Sequence, residues 1–573
     1  MNDLDWWKKA VFYQIYPRSF ADSNGDGIGD LPGIIQKIPY LKDLGVDAIW
    51  LSPIYPSPLR DCGYDVADYL GVAPEYGTMD DFRRLLEELH RWDMRLILDL
   101  VLNHTSDQHP WFLESRSSLD NPKRDWYLWR DGKNGGPPNN WYSTFGGPAW
   151  ELDPITGQYY YHFFFKEQPD LNWRNKEVRQ TMFALMRAWM EMGVDGFRLD
   201  AIGTIFEDPA LPDQHSPLTQ AELYRMAKTA DSEAERLEAV RAFKIMFEHQ
   251  VDRVEIHSLM RDLRAVVNEY PGRVLVGETD LIEYYGNGDD ELHMVFNFPL
   301  MRTEKLSAEW VRANQALRLS RLPAKAWPCN TLGNHDSPRV YSHFGDGIHD
   351  QTIARTSLAL MLTLKGTPFL YNGEEIGMTD LLLNSIDQFR DQLGIWAYET
   401  EIRDLRSSPE AALVYAARQT RDRCRTPLQW ANAPNGGFCP KDVKPWLPVN
   451  PNYAEGVNVE EEMDDPVSLL HFYRELLQVR RANPALVCGD YLPLSANLPG
   501  VLVFLRQILP DGQACLVVIN LVGRGHQIKL DLPVNCLNTI FSSRIREKEA
   551  DPIRPLLIAP YEVYIAGLAR IIR

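Results

Sequence analysis

The chain has 573 residues, 45% of them hydrophobic and 24% charged, which indicates a globular protein with one large domain and one or two smaller ones. Its 60 Lys and Arg residues against 79 Asp and Glu residues leave a net charge of −19. This excess of negative charge disfavours nucleic acid and anionic lipid surfaces as partners.

The start of the chain and its cysteines bear on its location. The sequence MNDLDWWKKAVFYQIYP has no basic segment followed by an apolar one, and no later run is long enough to span a bilayer. The 7 cysteines are scattered without a CxxC pair, which is typical of reduced thiols. We therefore expect a cytoplasmic protein without a membrane partner.

The segment after the first β-rich run, ADSNGDGIGDL (21–31), is similar to the first half of an EF-hand loop. Acidic or amide side chains recur at the spacing of such a loop, at Asp22, Asn24, Asp26 and Asp30. Gly33 stands where an EF-hand has its bidentate Glu. A calcium sensor, a structural ion site and an ordinary Gly/Asp turn are the three alternatives.

Over the first four hundred residues, eight short β-rich runs alternate with amphipathic helical stretches such as 80–92 and 175–193. The runs are VFYQIYP (11–17), DAIWLSP (47–53), RLILDLVLNH (95–104), DGFRLD (195–200), RVLVGE (273–278), HMVFNF (293–298), CNTLGNH (329–335) and TPFLYNGEE (367–375). This repeated alternation predicts an α/β fold, a (β/α)₈ TIM barrel.

Three regions depart from the alternation. Residues 105–171 are rich in Trp, Tyr, Gly and Pro, which predicts an inserted, loop-rich lid domain after the third strand. Residues 377–426 read as helical with charged faces, and we expect them to form another wall of the cleft. Short strands beyond residue 480 predict a C-terminal all-β sandwich. The predicted domains are the barrel (1–104 and 172–480), the lid (105–171) and the sandwich (481–573).

Polar side chains end four of the eight runs, where a barrel places its active site. Asp200 follows Arg198 by two residues, so both lie on one face of a strand, and the cation should keep this carboxylate ionised as a nucleophile requires. Glu278 ends an apolar run, and we expect burial to raise its pKa as suits a general acid. Two carboxylates in opposite protonation states are what glycoside cleavage needs. A structural salt bridge at Asp200 and a helix-capping neighbour at Glu278 are the alternatives.

Other chemistries fit the sequence less well. It contains no GxSxG, HExxH or GxxxxGK[ST] motif, and no GxGxxG after a strand. His104 and His335 lack a nearby Cys or His to complete a zinc site, so hydrogen bonding to a substrate hydroxyl is favoured. Asp336, next to His335, is a third acid that can bind sugar hydroxyls more strongly in an oxocarbenium-like transition state.

Five motifs in order resemble the α-amylase family of glycoside hydrolases (family 13), in its α-glucosidase branch. They are DLVLNH (99–104), QPDLN (168–172), GFRLDA (196–201), VGET (276–279) and GNHDSPR (333–339). The resemblance covers nearly the whole chain. It implies that Asp200 is the nucleophile, Glu278 the acid/base and Asp336 the carboxylate that stabilises the transition state. The family retains anomeric configuration, so the two reacting carboxyl groups should lie roughly 5–5.5 Å apart.

The resemblance also implies the substrate contacts and a metal site. The positions that match substrate-binding residues of the branch are Asp61, Tyr64, His104, Phe145, Gln168, Arg198 and His335, with an arginine, expected to be Arg425, at the pocket rim. The acidic loop resembles a structural Ca²⁺ or Mg²⁺ site whose ligands would be Asp22, Asn24, Asp26, the carbonyl of Ile28 and Asp30. No organic cofactor is expected.

Linkage preference is read from the residue after the nucleophile. In this branch Val accompanies α-1,6 cleavage, whereas smaller residues or Thr accompany α-1,4 cleavage, so Ala201 indicates an α-1,4 preference, as for maltose. Ser337 replaces the more usual Gln before Pro, and the segment 206–220 is expected to line the outer cleft, which leaves the outer-subsite preference open.

The alternatives within the branch are oligo-1,6-glucosidase activity and transfer of glucose to a sugar, such as trehalose synthesis from maltose. Sucrose isomerisation is disfavoured, because LMRTEKLSAEW (300–310) lacks the Arg/Asp-rich motif of those enzymes. A non-catalytic, transporter-associated sugar-binding protein is disfavoured because all three acids are present and no anchor is seen. We expect a small α-glucoside as substrate and a monomer or weak homo-oligomer.

Overall fold

The computed structural model describes residues 3–568 except 231, 495–497, 510–511, 531, 533–535 and 552–553. The outer ends of the first and last predicted domains, residues 1–2 and 569–573, lie outside the described residues.

The strands and helices alternate as predicted through the first two thirds of the chain. The strands are β1 Phe12–Ile15, β2 Ala48–Leu51, β3 Arg95–Val101, β4 Trp129–Arg130, β5 Trp150–Leu152, β6 Tyr159–Tyr161, β7 Gly196–Asp200, β8 Val274–Gly277, β9 Met294–Val295, β10 Cys329–Thr331, β11 Thr367–Tyr371, β12 Asp490–Pro493, β13 Val501–Gln507, β14 Ala514–Asn520, β15 His526–Ile528, β16 Leu537–Ser542, β17 Glu549–Ala550, β18 Leu556–Ile558 and β19 Val563–Leu568. The helices are α1 Trp6–Lys9, α2 Leu31–Leu44, α3 Met79–Arg91, α4 Pro110–Ser117, α5 Lys176–Met192, α6 Gln220–Thr229, α7 Glu233–Met246, α8 Glu255–Asn268, α9 Phe298–Arg302, α10 Ala308–Arg321, α11 Val340–Phe344, α12 Asp350–Thr363, α13 Gln392–Arg403, α14 Pro409–Gln419, α15 Val459–Asp464, α16 Leu469–Ala482 and α17 Pro484–Cys488.

Eight parallel strands form a nearly closed barrel in the order β10-β11-β1-β2-β3-β7-β8-β9. A parallel bridge between Phe296, just after β9, and Cys329 of β10 brings the two edges together. Strands β1, β2, β8 and β11 are buried at every position because side chains cover both faces of the sheet. The predicted (β/α)₈ barrel is confirmed.

Local sequence explains where barrel helix α3 begins and where barrel helix α5 ends. Helix α3 begins after Thr78, whose side chain accepts from the backbone of Asp81 while Asp81 accepts from Thr78, so two of the free N–H groups at its start are satisfied. Helix α5 ends at Gly193, whose φ of 115° suits a residue without Cβ. Both helices lie within one residue of the predicted stretches 80–92 and 175–193.

The region 105–171 contains a small core of its own. Besides α4 it has a three-stranded antiparallel sheet in the order β4-β6-β5. Buried aromatic residues, among them Trp141, Trp150 and Phe163, pack together there with Phe247 from the segment after β7. The sheet and this cluster hold the long loops of the region together and join them to the segment after β7.

The C-terminal region is built from antiparallel strands. A six-stranded sheet runs β12-β13-β14-β19-β16-β17, and the pair β15-β18 packs on it through Ile528 and Leu556. The predicted start of this region, residue 481, lies inside α16, and the first strand begins at Asp490. Among the described residues, no helix has the length and apolar character needed to cross a membrane.

Candidate active site

Arg198 lies at the centre of the candidate active site and is 1% exposed. The register of β3 and β7 pairs Asp99 with Arg198, and the two-residue period of β7 puts Asp200 on the same face. Arg198 Nη1 donates to Asp99 Oδ1 and Asp200 Oδ1, each at 2.7 Å, and its Nη2 lies 3.0 Å from Glu278 Oε2. One guanidinium thus contacts three carboxylates, and it brings the two predicted reacting groups together.

The shared arginine and the burial of the site act in opposite directions on the pKa of Asp200. Burial raises the pKa of Asp200, the charge of Arg198 opposes this rise, and the neighbouring carboxylates of Glu278 and Asp99 add to it. Burial likewise raises the pKa of Asp99 to about 6. The charge of Arg198 is divided among three acids, and the ionisation of Asp200 by this cation stays a prediction. Groups this close titrate as one linked unit.

The surroundings of Glu278 also differ from the prediction. Instead of apolar groups, its Oε2 meets Arg198 and accepts a hydrogen bond of 2.8 Å from the backbone N–H of Ala201. Ala201 adopts left-handed φ of 43° and ψ of 41° directly after β7. The Glu278 side chain is 27% exposed, compared with 11% for Asp200, so it has the greater access to the pocket opening.

Asp336 lies against two arginines from the segment 421–425. Its Oδ1 is 2.6 Å from Arg425 Nη2 and 3.6 Å from Arg421 Nη1. Burial would raise the pKa of Asp336, but the charges of His335, Arg425 and Arg421 outweigh it and hold the pKa well below its usual range. Burial lowers the pKa of His335 well below its ordinary value, so this imidazole is neutral at pH 7. The positive charge that acts on Asp336 at that pH therefore comes from Arg425 and Arg421. Asp336 is therefore ionised.

Tyr64 and His335 form the wall between Asp99 and Asp336. Tyr64 Oη donates to Asp99 Oδ2 at 3.0 Å and lies 2.5 Å from His335 Nε2, and the two rings stack with centroids 5.4 Å apart. His335 Nδ1 is 2.7 Å from the side-chain amide of Gln14 on β1. Contacts on both ring nitrogens fix the orientation of this imidazole.

The far side of the pocket joins Asp61, Gln168 and His104. Gln168 Nε2 donates to Asp61 Oδ2 at 3.0 Å and lies 2.9 Å from His104 Nε2. Burial lowers the pKa of His104 to about 4, so this imidazole is neutral at pH 7. Arg421, which contacts both Asp61 and Asp336, joins this group to the three acids.

The arginine at the rim is Arg421, and the expected residue, Arg425, lies deeper. Arg425 is fully buried, and its Nε donates to the carbonyl of His335 at 2.8 Å. Arg421 Nη2 donates to Asp61 Oδ1 at 2.6 Å, and the guanidinium stands 5.7 Å from the ring centroid of Phe145. Sequence reasoning missed Arg421 although it opens the same segment, RDRCRTPLQW. It also gave no role to Asp99, the first residue of DLVLNH.

The predicted metal loop forms a turn that is held by its own side chains. Asp22 accepts from the backbone of Gly25 and Gly27, and Asp26 Oδ1 accepts from Ile28. Asp30 caps α2 through Gly33. Across the described part of the chain, no three His, Cys, Asp or Glu side chains are grouped to hold a metal ion, so a cation here would also need the Asn24 amide and the Ile28 carbonyl. Such oxygen donors suit Ca²⁺ or Mg²⁺, and this site stays a prediction.

Comparison with known proteins agrees with this geometry. Residues 14–489 match the model of the α-amylase catalytic domain. The chain is 39% identical to an oligo-1,6-glucosidase of Parageobacillus thermoglucosidasius over 98% of each chain, and 42% identical to a probable alpha-glucosidase of Rhizobium meliloti over 85% of each. The crystal structure of the trehalulose synthase MutB from Pseudomonas mesoacidophila MX-45 is similar with a TM-score of 0.86 at 37% identity, over 98% of this chain and 99% of that one.

These matches and the arrangement of the three acids define a class of enzyme, the glycosidases that work at the mouth of a (β/α)₈ barrel. The chain belongs to the α-amylase family.

Proposed function

We propose that the protein is a retaining α-glucosidase that releases α-glucose from the non-reducing end of short α-glucosides, with α-1,4 linkages such as that of maltose preferred. The observation that carries the proposal is that Asp200 and Glu278 approach the same guanidinium, at 2.7 and 3.0 Å, within one pocket. A nucleophile and a proton donor must both reach one glycosidic bond, and this arrangement allows it.

The reaction proceeds in two displacements. Glu278, the more exposed of the two acids, protonates the glycosidic oxygen while Asp200 attacks the anomeric carbon, so that the aglycone leaves and a glucosyl ester forms on Asp200. The carboxylate of Glu278 then takes a proton from water, and the resulting hydroxide displaces Asp200. The sugar keeps its configuration, and Glu278 regains its proton.

Asp336 and the far side of the pocket support action on a terminal glucose. Asp336, which its two arginines keep ionised, stabilises positive charge that develops on the ring in the transition state. The pair of Asp61 and Arg421, 2.6 Å apart, closes the pocket beyond this point. A pocket closed at this point accepts one terminal glucosyl unit. It excludes an oligosaccharide that continues beyond the non-reducing side of that glucosyl unit.

Transfer of glucose to a sugar is the second candidate function. Its support is the similarity to MutB, whose name describes a trehalulose synthase. In sites of this kind, how well water is excluded decides whether water or a sugar accepts the glucose. The α-1,4 preference rests on Ala201, while relatives such as the one from Parageobacillus thermoglucosidasius are named for α-1,6 cleavage.

Product analysis tests the proposal. Purified protein is incubated with maltose, isomaltose, sucrose and trehalose at low and high concentration, and early products are followed by proton NMR, which distinguishes the glucose anomers. We expect α-glucose, formed fastest from maltose, and a rate at least 10³-fold lower for Asp200→Asn with the fold unchanged. Release of β-glucose, or appreciable turnover by Asp200→Asn, would refute the mechanism. New disaccharides at both concentrations would establish transfer as the main reaction.

A further inference from the structure

Asp391 is a fully buried carboxylate in the segment that follows β11, outside the set of residues that line the pocket. It precedes α13 and caps it, because its Oδ1 accepts from the backbone N–H of Leu393 at 3.2 Å. A cap alone needs no burial and no cationic partner, yet Asp391 has both.

Its main partner is Arg421, which it contacts twice. Arg421 Nη2 donates to Asp391 Oδ1 at 2.7 Å, and the backbone N–H of Arg421 donates to Asp391 Oδ2 at 2.8 Å. One carboxylate thus fixes both the main chain and the guanidinium of the same residue. Contacts to both ends of a long side chain leave it few rotamers, so the position of the guanidinium is set before a sugar binds.

The same guanidinium carries the closure of the pocket. Arg421 Nη2, which contacts Asp391, also donates to Asp61 Oδ1 at 2.6 Å, while Nη1 stands 3.6 Å from Asp336 Oδ1. Asp391 and Asp61 thus share one nitrogen of Arg421, and Asp336 faces the other. Without the charge on Asp391, only the pocket carboxylates would hold Arg421, and it would move towards Asp336.

We propose that Asp391 is a positioning residue, which holds Arg421 where its guanidinium binds Asp61 and closes the glucose pocket without forming a direct pair with Asp336. The effect on sugar binding rests on the proposed glucosidase function, whereas the effect on the position of Arg421 does not. Asp391 acts through Arg421.

The test compares Asp391→Asn with Asp422→Asn. Asp422 is a matched control because it is also buried and accepts from the backbone of Arg390 and Asp391, at 2.7 and 2.9 Å, but forms no hydrogen bond to the Arg421 side chain. Loss of one hydrogen bond to a charged group corresponds to a fold-change of about 10 in binding. We expect Asp391→Asn to raise KM for maltose about 10-fold, with a smaller fall in kcat. Asp391→Glu should have a KM between those of Asp391→Asn and wild type. The KM of Asp422→Asn should stay within about twofold of the wild-type value.

A KM within twofold of wild type for Asp391→Asn, or an equal rise in both variants, would overturn the proposal, because the second result indicates a merely structural role. A crystal structure of Asp391→Asn gives a readout independent of activity: we expect the Arg421 guanidinium to leave Asp61, and an unmoved guanidinium would overturn the proposal even if no glucoside is cleaved. If Asp391→Asn does not fold, Asp391→Glu replaces it, because the longer side chain keeps the charge but cannot hold the backbone N–H and the guanidinium of Arg421 in the same places. An unchanged KM in that variant would also overturn the proposal.

Discussion

Glu374, which follows β11, provides a quantitative test of how burial acts on a carboxyl group beneath the site. Its Oε1 has no hydrogen-bond partner among the described residues and lies so close to Gly333 that a Cβ there would be 2.5 Å away. Burial raises the pKa of Glu374 from 4.5 to about 8, with some opposition from a backbone hydrogen bond at Tyr371 and from Arg339. The folded protein therefore holds a proton here at pH 7, which the unfolded chain releases.

The sign of the effect on stability follows from that difference. The folded pKa exceeds the unfolded one, so the stabilisation from this proton is fully present below pH 4.5 and is lost as the pH rises through about 8. Between pH 6 and the folded pKa of about 8, the folded protein keeps the proton while the unfolded chain is already ionised. These two pH units, at 1.36 kcal/mol per unit, correspond to a loss of about 3 kcal/mol in the free energy of unfolding between pH 6 and pH 9.5. Glu374→Gln keeps the shape but cannot ionise, and should lose none of this amount.

The assay is urea unfolding followed by tryptophan fluorescence at pH 6 and pH 9.5, for wild type, Glu374→Gln and a control, Glu375→Gln. Glu375 is also buried, but it accepts hydrogen bonds from Tyr13, Tyr40 and the backbone of Gly373. We expect the wild type to lose about 3 kcal/mol more than Glu374→Gln between the two pH values. Glu375→Gln should be less stable than wild type at both, by about 1–3 kcal/mol, because the amide has one acceptor oxygen where the carboxylate uses two. If wild type and Glu374→Gln differ by the same amount at both pH values, the burial argument is refuted.

Two further predictions concern the metal loop and the linkage preference. Addition of Ca²⁺ at 100 times its Kd should stabilise the fold by about 2.7 kcal/mol, seen as a higher Tm that Asp26→Asn abolishes, and a Tm insensitive to both Ca²⁺ and Mg²⁺ would count against the site. Ala201→Val should raise the ratio of isomaltose to maltose hydrolysis and cost about 1–2 kcal/mol of stability, because φ at this position is 43° and a β-branched residue is strained there. An unchanged ratio would show that Ala201 does not set the preference.

The barrel and the three acids could be predicted because each depends on short-range sequence. Strand–helix alternation indicates the topology, and the two-residue period of a strand places Arg198 and Asp200 on one face without reference to the rest of the chain. The surroundings of Glu278 depend on contacts between strands instead. The backbone N–H that reaches Glu278 belongs to Ala201, 77 positions earlier in the chain, and no local pattern near VLVGE indicates it.

The choice between Arg421 and Arg425 shows the same limit of prediction from local sequence. Arg421 and Arg425 bound a single turn of 3₁₀ helix, Arg421–Cys424, so both occur in one motif and either could face the pocket. Which one does so is decided by Asp391, 30 residues earlier, and by Asp61, 360 residues earlier. Sequence reasoning had the right segment, and only the packing of the insertion after β11 against the barrel could select the residue.

The balance of charge in the site favours the transition state of the proposed reaction. Three guanidinium groups face a larger number of carboxylates, which are Asp61, Asp99, Asp200, Glu278, Asp336 and Asp391. Six acids exceed the three fixed cations, and groups this close in a buried site titrate as a linked unit. The residual negative charge stabilises a ring that becomes positive in the transition state.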